Sequence, residues 1–164
     1  MFTREEIESA FAHFQAEVVL AATTQDWTHF TNLFTEDADY YEHSYGRFAG
    51  REQITKWAIR TMTTFPGNAM PGFPVAWYLI DEARGWVVCE IRNVMRDPGD
   101  GTVFEATNIT ILHYAGENSW SYEEDVYNPA KFLEMVTAWA VRCRELGTLD
   151  AEAQAWLKAY APAA

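Results

Sequence analysis

Near residue 75 the hydrophobic pattern changes period, and that switch constrains this 164-residue chain more than any other feature. Before it, apolar side chains recur every three or four residues, as one-sided helices require; after it they alternate, as strands with one buried face require. Thr3 opens a capping box with Glu6, and Ile7, Phe11, Phe14, Val18 and Ala21 follow on one helical face. Asp26 caps a short second helix carrying Trp27, Phe30 and Phe34, and the aromatic stretch Ala38–Tyr45 reads as a strand stopped by Gly46. A third helix from Gly50 carries Ile54, Trp57, Ala58 and Thr61 on one side and ends at the prolines and glycines after Phe65.

The second half reads as four extended runs, Val75–Asp81, Gly85–Arg96, Thr102–Tyr114 and Ser119–Tyr127, separated by short polar turns. They predict an antiparallel meander. Asn128 and Pro129 then start a helix bearing Phe132, Val136, Trp139 and Cys143, stopped at Gly147, and a last short helix covers about 150–160. With no repeat or linker in between, the pattern predicts one α+β domain over residues 1–164, its helices covering one face of a curved antiparallel sheet, with a C-terminal helical extension over 131–164.

Composition excludes several function classes. Seven Trp and 49% hydrophobic residues are too many for a disordered chain. A net charge of −12 repels phosphate backbones, so nucleic acid is not an expected partner. No apolar run approaches the roughly 20 residues of a membrane span, and the uncharged stretch Thr61–Ile80 is broken by Pro66, Pro71 and Pro74, so no membrane partner is expected. The acidic start MFTREEIESA lacks a basic-then-apolar export pattern, which predicts a cytoplasmic protein. Cys89 and Cys143 form no CxxC and read as small buried hydrophobes. His13, His29, His43 and His113 show no HxH or HExxH spacing, and phosphate-cradling glycine loops and the GxSxG elbow are missing, so neither metal nor cofactor is expected.

Strand parity sorts the candidate site. Glu90, Arg92 and Arg96 share one side of their strand, leaving Cys89, Ile91, Asn93 and Met95 to the interior. In the next strand Glu105 and His113 mark the wet side, so Phe104, Ala106, Asn108, Thr110, Leu112 and Tyr114 face inward. In the final strand Trp120, Tyr122, Glu124 and Val126 alternate with Ser121, Glu123, Asp125 and Tyr127, and parity alone does not choose between the two sets.

Two stretches carry a family resemblance: QDWTHFTNLFTEDADYYEHSYGRFAGREQITKW, with its phenylalanine before "EDA" and its "GRE" opening the third helix, and the ending SWSYEEDVYNPAKF. Across about residues 3–130 they resemble the cone-shaped nuclear transport factor 2 (NTF2) fold, and within it the SnoaL-like branch that includes polyketide cyclases, with ketosteroid isomerase and limonene epoxide hydrolase more distant. The resemblance implies a homodimer, and an interior that takes a hydrophobic small molecule. It places Glu42 at the isomerase's general base, turns Glu123, Asp125 and Tyr127 inward, and assigns Trp120, Tyr122 and their alternates to an outer, dimer-forming face. Asp125 also matches the acid-bearing position of the hydrolase's last strand.

Glu42 and Asp125 are therefore the expected catalytic pair, with Tyr40, Asn93, Asn108, Thr110, Glu123 and Tyr127 as substrate-binding wall. The expected chemistry is removal of a proton next to a carbonyl, the resulting enolate accepting hydrogen bonds from Tyr127, Asn93 or Asn108. Two departures argue against literal transfer. Val18 and Thr110 replace the isomerase's oxyanion-binding tyrosine and aspartic acid, and Val94 breaks the hydrolase's Arg-x-Asp pattern after Arg92. Two functions thus remain: a cofactor-independent acid-base enzyme of the cyclase, isomerase or hydratase type, or a non-catalytic ligand-binding or dimerisation module.

Overall fold

Thr3 caps the first helix as its sequence predicts, accepting the Glu6 amide at 3.2 Å. In the computed structural model, which describes residues 2–161, that helix is α1, Arg4–Thr24; it buries Ile7, Phe11, Phe14 and Ala21 and ends where Gln25 turns left-handed. Asp26 accepts the Thr28 amide at 3.0 Å ahead of the single turn α2, Thr28–Thr31. Helix α3, Arg51–Met62, buries Ile54, Trp57 and Ala58. Asn128 caps α4, Pro129–Leu146, and Asp150 caps α5, Ala151–Tyr160, each accepting a first-turn amide.

The strands are β1 (Phe34–Glu42), β2 (Gly46–Ala49), β3 (Val75–Asp81), β4 (Trp86–Val94), β5 (Glu105–Gly116) and β6 (Ser119–Val126). They form one curved sheet in the order β2-β1-β6-β5-β4-β3. The meander β3 to β6 is antiparallel as expected, but β6 lies parallel to β1, so the sheet is mixed rather than antiparallel. The cause is connectivity. The chain leaves β1 through β2 and α3 and runs the whole meander before returning beside β1 in the same direction.

Several strand limits differ from expectation. The first strand begins at Phe34 rather than Ala38, and Gly46 does not end the strand region: with φ of +101° it follows the turn that folds β2 back onto β1, pairing with Glu42. The third run pairs only from Glu105, although the Met95 amide still reaches the Phe104 carbonyl at 2.9 Å.

Trp120 is the larger correction. It is fully buried, with ring centroids 6.0 Å from Phe14 and 5.4 Å from Tyr114, and so is not on the outer face. Its partner is Tyr114 whereas Tyr122 pairs with His113, so Ser121 is an extra residue and a bulge reverses parity between Trp120 and Glu123. Simple alternation fails there.

Helices α1, α2 and α3 pack on the inner face around Phe11, Phe34, Trp57 and Trp120. Helices α4 and α5 form a second core with Phe65, Met95 and Trp139, tied to the sheet by the Trp139 indole donating to the Arg96 carbonyl at 2.7 Å. Both cysteines are free and buried, as expected.

Candidate active site

The parallel pair puts three acids side by side on the inner face. Tyr40 stands opposite Glu123, and Glu42 opposite Asp125; on the other flank of β6, Leu112 faces Glu123 and Thr110 faces Asp125. All eight expected site residues converge here.

Asp125 is the hub. Tyr40 donates to its Oδ2, while Asn108 Nδ2 at 2.8 Å and Thr110 Oγ1 at 2.5 Å donate to its Oδ1. Asn93 extends the chain, donating from Nδ2 to Asn108 Oδ1 at 2.7 Å and to the Ala106 carbonyl at 3.2 Å. Asp125 lies deep in the fold yet keeps part of its surface accessible, as do Asn93 and Tyr127. Burial raises its pKa to about 6, the hydrogen bonds from Thr110 and Tyr40 pulling downward and the Glu42 charge pushing further up.

Glu42 has a different environment. Its Oε2 accepts the amides of Ser44 at 2.7 Å and Tyr45 at 2.6 Å, and its Oε1 accepts the Tyr127 hydroxyl, so a side chain only 4% exposed is satisfied on both oxygens. Glu123, 3% exposed, has a buried Oε2 with no partner among the described residues. Burial first and the Asp125 charge second lift its pKa well above the ordinary carboxylate range. Burial likewise raises the Tyr40 and Tyr127 hydroxyls, and neighbouring carboxylates add to it.

The donors expected to meet an enolate are spent. Tyr127 serves Glu42, and the Asn93 and Asn108 amide groups bond to each other, to Thr110, to the Ala106 carbonyl and to Asp125. Sequence reasoning missed Trp57, whose ring lies 4.7 Å from that of Tyr40 and whose buried indole N–H has no partner among the described residues. Its helical periodicity reads only as core.

No cluster of His, Cys, Asp and Glu among the described residues is arranged to hold a metal ion. A groove of about 760 Å³ between the start of β5 and α4 is lined by Phe104, Ala106, Asn128, Lys131 and Met135; it touches the site through Ala106. A second, of about 480 Å³, lies at Glu36, Arg51 and Thr55. Neither is lined by Glu42 or Asp125. No described helix is long and apolar enough to cross a membrane.

This architecture is the NTF2-like fold. A protein of ketosteroid isomerase-like fold from Catenulispora acidiphila, solved in complex with trimethylamine, is 24% identical, with a TM-score of 0.59 over 81% of this chain and 93% of that one. An NTF2-like protein from Anabaena variabilis is 13% identical, with a TM-score of 0.58 over 78% and 93%. A SnoaL-like polyketide cyclase-type protein from Shewanella denitrificans is 12% identical, with a TM-score of 0.57 over 80% and 97%. No protein-family model and no curated protein matches the chain. At these identities the likeness establishes the fold, and the reaction must be argued from the site.

Proposed function

We propose that the chain binds a hydrophobic, ring-bearing small molecule inside the cone and moves a proton on it, with Asp125 as the exchanging group. The observation that carries this reading is the Asp125 environment: a carboxylate fixed by three side-chain donors, partly accessible, and held at about pH 6, where both protonation states are available near neutrality. Glu42 supports rather than leads. Its charge raises the Asp125 pKa, and its oxygens anchor Tyr127 and the turn after β1. The C. acidiphila relative, which holds a small organic molecule, supports the ligand-binding part.

The test is solvent exchange. Wild-type protein in deuterium oxide is expected to speed deuterium incorporation next to the carbonyl of members of a panel of polycyclic ketones and enones. Asp125→Asn, shown folded by circular dichroism, is expected to lose that effect by about 100-fold or more. Equal exchange in the two proteins removes Asp125 from the chemistry.

The non-catalytic reading is favoured by one observation: Glu42 is fully satisfied and neither groove is lined by it. Under that reading ligands stabilise the protein without exchange. Under either reading the outer face joins two copies. Leu79, Val88 and Ile111 form a cross-strand apolar row, Leu79 being 66% exposed, beside the stacked rings of Trp86, His113 and Tyr122. The row itself is apolar and runs into Glu124, whose carboxylate is held by His43 and Tyr122, so a second copy meets an apolar strip beside a paired acid.

A further inference from the structure

Glu123 is the one acid of the inner cluster that the proposed proton transfer does not use. Three carboxylates share the interior, and no basic side chain among the described residues pairs with any of them. Glu123 adds a second observation: a residue only 3% exposed, on the same inner face of the sheet, with one carboxylate oxygen lacking a donor among the described residues. The amide and hydroxyl donors of Asn93, Asn108, Thr110 and Tyr127 are committed within the network, which leaves the Trp57 indole N–H beside Tyr40 as the unpartnered donor near the site among the described residues. An enolate formed here stands beside the Asp125 and Glu42 carboxylates, so exchange on a neutral ketone is slower than on a substrate that carries its own positive charge.

We infer that the ligand brings the missing positive charge, and that the site takes an organic cation whose ammonium or iminium nitrogen sits against the accessible side of Asp125, within the field of Glu123 and Glu42. The inference rests on the reading of the interior as a ligand site and names its substrate class. A bare metal ion fits poorly, because Asp125 and Glu42 already accept three donors each. A quaternary ammonium needs no lone pair; it responds to net charge and to ring faces such as Tyr127 and Phe132, 4.6 Å apart. A cation also relieves the chemistry. If Asp125 removes a proton from carbon next to C=N⁺, the C–H pair becomes the new C=C bond, the C=N pair returns to nitrogen, and a neutral enamine forms without an oxyanion.

Cation binding must also move a proton. The groups facing Glu123 are Asp125 on its own strand, Tyr40 on β1 and Cys89 on β4, with Glu42 beyond them opposite Asp125; β5 offers Thr110, Asn108 and Leu112, and the helices pack Phe30 and Trp57 around Tyr40. None is cationic. Burial raises both carboxyls of the Glu123–Asp125 pair, so an incoming cation, which favours their charged forms, drives protons from the pair into the buffer.

The probe pair is choline and its neutral isostere 3,3-dimethyl-1-butanol, at matched ionic strength and pH 7, by thermal shift and by calorimetry in two buffers of different ionisation enthalpy. The expected result is saturable stabilisation by choline, at least tenfold tighter than by the alcohol, with net proton release. Glu123→Gln is expected to lessen that release and Asp125→Asn to weaken choline at least tenfold; if Asp125→Asn does not fold, Glu42→Gln is expected to weaken choline in the same direction. Equal binding of the two probes, binding without proton release, or no choline binding overturns the inference. Stabilisation or exchange with neutral ring ketones but not choline overturns the cation alone and leaves the proton-transfer reading standing. Binding of choline without exchange of any substrate overturns the proton transfer and leaves the cation site.

Discussion

Tyr40 pairs across the parallel strands with Glu123, yet its hydroxyl reaches one step along β6 to donate to Asp125. That diagonal bond holds Asp125 toward its charged form against burial. Tyr40→Phe is therefore expected to raise the Asp125 midpoint above about 6, by roughly one unit for the loss of one hydrogen bond to a charged group. A pH profile of deuterium exchange that does not move upward in this variant contradicts the assignment.

Stability should fall as pH rises. Asp125 has a folded pKa of about 6 against an ordinary 3.8, so between those values the native state keeps a proton that the unfolded chain has released. The loss is on the order of 2–3 kcal/mol for this group, and Glu123, also raised, extends it toward higher pH. Denaturant unfolding at pH 5 and pH 7.5 is expected to show wild type losing stability across the interval and Glu123→Gln losing less. Identical losses in the two proteins contradict a Glu123 whose pKa is raised in the native state.

Much of this site was legible because strand parity is strict where a strand is regular. Cys89, Asn93, Asn108 and Thr110 sort correctly from the charges on their opposite faces, and the Asn93–Asn108 bond follows from their shared side. The last strand resisted for a physical reason: the extra residue at Ser121 turns Trp120 inward along with Glu123, and a bulge has no period to read. Likewise β2 was hidden because Gly46 reads as a stop whether a strand ends or folds back. Glu42 was placed at the site, but its three acceptor contacts come from the turn and from Tyr127, which alternation does not reveal.

Glu42→Ala should act mainly on stability. It strands the Tyr127 hydroxyl and two turn amides; with the amides partly wet, the cost is about 2 kcal/mol. Denaturant unfolding measures it, and a loss under about 0.5 kcal/mol, the usual size of a surface change, contradicts the anchoring role.

The outer face gives a separate expectation. Light scattering at micromolar concentration should find a dimer, and Ile111→Asp, which sets a charge beside Val88 at the β5 end of the Leu79–Val88–Ile111 row, should yield a folded monomer. A wild-type monomer, or a variant that stays dimeric, contradicts assembly through this face.

The most direct test is the carboxyl titration of Asp125 itself, followed by carbon-13 NMR of aspartate-labelled protein with Asp125→Asn assigning the signal. A midpoint near 6 is the predicted result, and it places a proton-exchanging group inside the cone at working pH. A midpoint at or below the ordinary 3.8 means that Asp125 is a permanently charged structural hub, and the proton-transfer account fails.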